Sequence, residues 1–197
     1  DDENGKQLVQ DWMRFIGRPS IRQSVVFLSD YDMALAQQLV QGVDVWINTP
    51  IRTLEACGTS GMKALVNGGL NVSILDGWWA EAWQPDVGWA INGQIDEQHP
   101  HRDQEDAEEL YRLLEEAVVP MFYDRDSTGV PRQWVRHVRA SLSTLTPRFS
   151  SNRMLEQYVR ELYEPAVVEY RARGADNGRL AHELRGPLGQ FLGVGIF

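Results

Sequence analysis

Apolar positions along this chain recur at helical spacing, then in short continuous runs, and the alternation sets its architecture. Leu8, Val9, Trp12, Phe15 and Ile16 share one face of a helix, behind a polar start at Asp1 to Gly5. Gly17-Arg18-Pro19-Ser20 breaks that helix. Val25-Val26-Phe27-Leu28 is an unbroken apolar run and predicts a buried strand. Asp32 to Val40 predicts a helix carrying Met33, Leu35, Ala36, Leu39 and Val40, closed by Gly42. Val43 to Ile47 predicts a second strand, Ala64 to Val66 fall in the next helix, and Leu70 to Leu75 predicts a third strand. Helix and strand alternating at short spacing predict a parallel sheet with covering helices.

The pattern changes after Leu75. Trp78, Trp79, Trp83 and Trp89 fall within 12 positions, in a stretch to 101 that reads as structured loop with a short strand at Gly88 to Ile91. Asp103 to Tyr123 predicts an acidic amphipathic helix whose apolar side is Leu110, Leu113, Leu114, Ala117, Val118 and Met121, with Asp103 as N-cap. Pro131 opens a further helix through Leu145. Ser150 or Ser151 caps a last long helix to about Arg173, where Pro165 is placed to kink it. The expected division is an α/β part over 1–101, helices of the same domain over 102–173, and a loose tail over 174–197.

Composition narrows the function classes. The chain has 197 residues, 43% hydrophobic, enough for one sizeable core. A net charge of -9 argues against a nucleic-acid partner, which needs a basic footprint. One cysteine and four scattered histidines offer no metal cluster. With no signal-like start and no apolar run near ~18 residues, the expectation is a cytoplasmic protein without a membrane partner.

The chemistry concentrates at residues 54 to 69. Ligands of open parallel sheets bind beyond the carboxyl ends of strands. Three polar clusters follow the three expected strands: Ser29 to Asp32, Asn48 to Gly61, and Asp76 to Trp79. Gly58-Thr59-Ser60-Gly61 reads as a phosphate cradle. The glycines admit a ligand to the backbone, the hydroxyls add donors, and a following helix start offers free amides. The chain has two lysines against 17 arginines, and Lys63 lies directly behind this loop. Placed in the first helical turn among apolar residues, its amine would reach the cradle and favour the neutral form that condenses with a carbonyl. A phosphate cradle with such a lysine points to pyridoxal phosphate. Each feature also has a plain structural reading. The loop reads as an ordinary strand-to-helix connection, Cys57 as a small packed residue, Asp30 as a helix cap, and the tryptophans as core rather than a sugar platform.

Glu55-Ala56-Cys57-Gly58-Thr59-Ser60-Gly61-Met62-Lys63, with Asn67-Gly68 after it, resembles the pyridoxal-phosphate segment of α-glucan (glycogen, maltodextrin, starch) phosphorylases. Val26 to Tyr31, Leu75-Asp76-Gly77 and Phe149 to Arg153 resemble its flanks and the family's C-terminal helix entry. Asp44 to Pro50 and Asp76 to Trp79 are most similar to the shorter bacterial and archaeal branch. The resemblance implies an α/β fold: a partial Rossmann-like parallel sheet, from the second domain of a two-domain GT-B-type glycosyltransferase, with C-terminal helices. It implies pyridoxal 5'-phosphate held covalently by Lys63, with Gly58, Thr59, Ser60 and Tyr31 about its phosphate and Glu55, Cys57 and Gly58 facing the glucosyl unit. The catalytic contribution beyond Lys63 would come from elsewhere. The implied reaction moves a terminal glucosyl unit from an α-1,4-glucan to orthophosphate, giving glucose 1-phosphate with retention.

Two departures qualify the resemblance. Cys57 stands where the family commonly has serine. Asp32 stands where longer phosphorylases have arginine, so no phosphate contact passes to it. The resemblance covers only the later part of the family's second domain. The expectation is therefore a C-terminal fragment, inactive alone and lacking its N-terminal catalytic domain, with exposed apolar surface favouring homo-oligomers. Two rivals stay open. A nucleotide-sugar glycosyltransferase of the same architecture would need no lysine at position 63. A non-catalytic carbohydrate-binding module would keep the fold without the reaction.

Overall fold

The computed structural model describes residues 2–92 and 101–192, with side chains to Leu184. It divides into two compact units, Asp1–Val43 and Asp44–Phe197.

The first unit holds two helices, α1 (Glu3–Ile16) and α2 (Met33–Gly42). Asp2 caps α1, accepting the Gly5 amide at 2.9 Å. Asp32 caps α2 through the Leu35 amide at 2.8 Å. The cap is therefore Asp32 and not Asp30, which takes a left-handed turn at φ 53°. Val25 to Leu28, expected as the first strand, is not one of the three paired strands of the sheet. Val26, Phe27 and Leu28 are exposed. An apolar run reports a demand for burial, whereas a strand also needs a hydrogen-bonding neighbour.

The second unit is α/β. Its sheet has three parallel strands in the order β1 (Val45–Asn48), β2 (Leu70–Ile74), β3 (Gly88–Ile91). Helix α3 (Thr59–Val66) connects the first two, and α4 (Gly77–Ala82) lies between the second and third. Central β2 is buried on both faces although its sequence alternates apolar with polar, because Asn71 and Ser73 donate to the Gly61 and Ile74 carbonyls. Leu70, Val72 and Ile74 join Trp89, Ile91, Val118 and Trp134 in one core cluster. Leu65, Trp78, Trp79, Ala82, Val87 and Leu145 form another.

The tryptophans are core. Trp78, Trp79 and Trp89 are buried. The indole N–H of Trp79 donates to the Trp89 carbonyl at 3.1 Å, and that of Trp83 to the Gly88 carbonyl at 3.2 Å. Two indole donors thereby fasten α4 and its C-terminal end to β3 while being satisfied themselves.

Helix α5 (Arg102–Leu113) starts one residue before the expected N-cap, so Asp103 lies in its first turn rather than capping it. It runs through a π turn (Leu114–Val118) into α6 (Val119–Tyr123). Pro131 precedes α7 (Arg132–Arg148). Ser150 caps α8 (Ser151–Tyr158), accepting the Arg153 amide at 3.2 Å. A second π turn (Val159–Tyr163) leads into α9 (Glu164–Leu192). Each π turn ends just ahead of a proline. The Val119 amide donates to the Leu114 carbonyl before Pro120, and the Glu164 amide to the Val159 carbonyl before Pro165. A proline ring crowds the carbonyl four residues back. A widened turn moves that carbonyl aside, so the helix continues through Pro165 instead of breaking there. The break comes later, at Ala175 to Gly178, where Asp176, Asn177 and Gly178 are left-handed. The tail expected to be loose is helical beyond it to Leu192. Met154, Leu155, Tyr158, Leu162, Tyr163 and Val168 are exposed along α8 and α9.

Two positions give clear stability tests. Gly88 sits at φ 152°, and a Cβ there would lie 2.5 Å from the Asn71 carbonyl oxygen. Gly129 has φ 81° and nothing within 4 Å. Gly88→Ala should lose about 2–4 kcal/mol by overpacking against backbone plus dihedral strain. Gly129→Ala should lose only the left-handed penalty of about 1–2 kcal/mol. Urea denaturation of both variants checks the ranking.

Asp126 gives a pH test. It accepts from the Thr128 hydroxyl, the Val130 and Thr128 amides, and Arg132. These bonds, the Thr128 hydroxyl first, hold its carboxyl well below the ordinary value near 3.8. A folded pKa below the unfolded one means the turn's contribution is complete above that value and is lost as pH falls beneath it. Asp126→Asn should weaken the fold at neutral pH and flatten the acid limb of its stability profile, read from denaturation midpoints between roughly pH 6 and 2.

Candidate functional site

The site is built where the carboxyl end of β2 meets the loop that follows β1. Beyond Ile74 the chain reaches Asp76, whose two oxygens serve two segments. Oδ1 accepts the Gly77 amide at 2.9 Å, and Oδ2 accepts the Glu55 amide at 3.0 Å. The Trp78 amide donates back to the Cys57 carbonyl at 2.8 Å. These bonds lay Glu55, Cys57 and Gly58 against the start of α4. Glycine is required at the crossing. Gly77 has φ 50°, and a Cβ on it would stand 2.7 Å from the Cys57 carbonyl oxygen.

Gly58 then turns the chain into α3 at φ 89°, with no side chain capping the helix. A Cβ at Gly58 would lie 3.0 Å from both Glu55 Oε1 and Trp78 Cδ1. The Glu55 carboxylate therefore stands beside the loop backbone. The amides of the first turn are left to an external acceptor, which with the helix dipole favours an anion. Gly61, Ala64 and Leu65 form the buried side of α3. A Cβ at Gly61 would be 2.6 Å from Asn71 Oδ1, and Asn71 Nδ2 donates to the Gly61 carbonyl at 3.2 Å. That contact seats the helix closely on β2.

Thr59 and Ser60 lie four and three residues before Lys63, so the three side chains share one helix face. Lys63 is the fifth residue of α3, a turn later than expected. It is exposed rather than enclosed among apolar groups. Side chains on a helix lean toward its N-terminus, which aims Lys63 back over Thr59 and Ser60. Cys57 is exposed, so its backbone serves the fold while its thiol faces outward. Six expected site residues, Glu55, Cys57, Gly58, Thr59, Ser60 and Lys63, therefore occupy one loop and helix start. Tyr31 belongs to the first unit, exposed, just ahead of α2. Of the three polar clusters, those at Asn48 to Gly61 and Asp76 to Trp79 meet at the carboxyl edge of the sheet.

Two residues of the site go beyond the sequence reading. Asp76 was visible as part of a polar cluster, but its bond to Glu55 was not. Arg52 gave no signal. It is buried, with Nη1 donating to Asp106 Oδ2 at 2.5 Å and Nη2 to the Ile91 carbonyl at 3.2 Å. An arginine in a loop ordinarily reads as surface, and its partner lies 54 residues away.

A family model described as carbohydrate phosphorylase matches residues 18–88. A glycogen phosphorylase of Mycobacterium tuberculosis is 47% identical over 186 residues, covering 93% of this chain and 21% of that protein. A glycogen phosphorylase of Aquifex aeolicus is 43% identical over 85% of this chain and 24% of its own length. A maltodextrin phosphorylase of Thermococcus litoralis is 39% identical over 85% of this chain and 20% of its own. The chain thus spans about a fifth to a quarter of the length of these curated relatives.

Asp76→Ala would strand the Glu55 and Gly77 amides. It should cost about 1–3 kcal/mol for unmet buried donors, read by urea denaturation. Early proteolytic cleavage should appear between Thr53 and Gly58.

Proposed function

Because this chain belongs to the carbohydrate phosphorylase family, we propose that it supplies one wall of an α-1,4-glucan phosphorylase active site. The reaction transfers a terminal glucosyl unit to orthophosphate and releases glucose 1-phosphate, in the cytoplasm. In this reading the three-stranded sheet is part of the second Rossmann-like domain of a GT-B-type enzyme. The exposed apolar side chains of α1, α8 and α9 support the presence of further covering structure.

The observation that carries the proposal is the left-handed, uncapped start of α3 with Thr59, Ser60 and Lys63 on one face. These residues fit pyridoxal 5'-phosphate. The α3 amides and the Thr59 and Ser60 hydroxyls would receive its phosphate. The Lys63 amine would hold it covalently. When bound, the cofactor supplies a phosphate able to exchange a proton with the substrate phosphate.

The chain's own residues prepare that site. Gly58, lacking a side chain, leaves the backbone amides open to an anion. Glu55, fixed at its amide by Asp76, presents acceptor oxygens to the hydroxyls of a glucosyl unit. Cys57 places a small exposed group beside that unit. Donors aimed in advance at a phosphate act most strongly where water is excluded, which is the task of the opposing wall.

Borohydride reduction followed by peptide mass spectrometry tests this. The native full-length protein should carry a reduced pyridoxyl group on the peptide containing Lys63. Lys63→Ala should show none and should lose glucan phosphorolysis to background. An active protein with no adduct on Lys63 would remove the cofactor assignment.

A further inference from the structure

The turn between β1 and the glycine loop is held from inside the protein. Its anchor is Arg52, only 4% exposed. The guanidinium is forked. One nitrogen meets Asp106 on α5 and the other meets the Ile91 carbonyl at the end of β3. One side chain thus joins three elements at the carboxyl edge of the sheet. Asp106 is itself largely buried, and its Oδ1 has no hydrogen-bond partner. The pair is therefore committed to a single geometry, since either charge alone would be left in a poorly solvated place.

The next residue records the consequence. Thr53 has φ 71°, a left-handed conformation that a β-branched residue rarely adopts. Beyond it the Leu54 amide closes a turn onto the Ile51 carbonyl at 3.0 Å. The Glu55 amide is then bound by Asp76 at 3.0 Å. The segment from Arg52 to Glu55 is clamped at both ends and strained between them.

We propose that Arg52 is a positioning residue for Glu55: its fork to Asp106 and Ile91 fixes the Thr53 turn and thereby aims the Glu55 carboxylate at the bound sugar. The inference rests on the reading of Glu55 given above. Arg52 touches no substrate; it acts through the loop. Lysine would not replace it, because a single ammonium lacks the planar fork that serves two acceptors in different elements.

The test uses two variants of the native full-length protein. R52M/D106L removes both charges together, a replacement that commonly leaves stability near neutral. Arg52→Lys keeps a charge opposite Asp106 but loses the fork, and it is read in the same way if the double variant does not fold. Hydrogen exchange is followed on the peptide covering residues 49–58. Phosphorolysis of maltodextrin is measured with and without Glu55→Gln. The expected result is amide exchange about tenfold faster at Leu54 to Gly58, with the core unchanged. With it, kcat/KM should fall about tenfold or more, as expected for a misplaced contact. In the Glu55→Gln background the further loss should be less than about twofold, because residues acting as one unit are not additive. Unchanged exchange in the loop, or an equal loss in both backgrounds, would overturn the proposal. A native protein inactive on every glucan would sink the proposed function instead, and the exchange result would then decide by itself whether Arg52 holds the loop.

Discussion

The geometry of the site depends on one carboxylate. Asp76 stands where β2 ends and binds the amides of both Gly77 and Glu55. Its first bond starts α4, which carries Trp78 and Trp79 into the core. Its second pins the loop that leads to Gly58. Packing of the tryptophans and placement of the glycine loop are therefore one event. Charge-assisted bonds to backbone amides are stronger than neutral ones. That strength suits a junction where two segments would otherwise leave donors unpaired.

Close approach is the second constraint. Gly61, Gly77 and Gly88 each sit where a methyl group would press within 3 Å of a neighbour. The contacts at Gly61 and Gly88 draw α3 and β3 onto β2, and the one at Gly77 brings the start of α4 against the loop after β1. The helix start can be open to a ligand because its opposite face is so firmly seated. The buried side of α3 supplies the rigidity, and its exposed side carries the chemistry.

Much of this was legible in the residues. The strand at Gly88 to Ile91, the Ser150 cap and the gathering of two polar clusters at one sheet edge all follow from local pattern. What escaped was non-local. Val25 to Leu28 announced an apolar strand, but no pattern within four residues names a hydrogen-bonding neighbour. Arg52 resembled a surface arginine because its partners, Asp106 and the Ile91 carbonyl, are distant in sequence. Lys63 was placed a turn too early because the left-handed Gly58, which sets the helix start, is a matter of dihedral angle and leaves no periodic trace.

The two π turns have a consequence for the long helices. Each residue of an α-helix advances about 100° around the axis. A turn bridged from Val159 to Glu164 admits one residue more than the α repeat. The turn absorbs that extra residue, so positions of α8 and α9 that are one residue out of the α repeat fall on one face of the rod. A face assembled from both helices is therefore written in two sequence registers that meet at the turn. Removing a single residue from Val159 to Tyr163 would let the turn close as ordinary α-helix while leaving the helices on either side in the same relative phase.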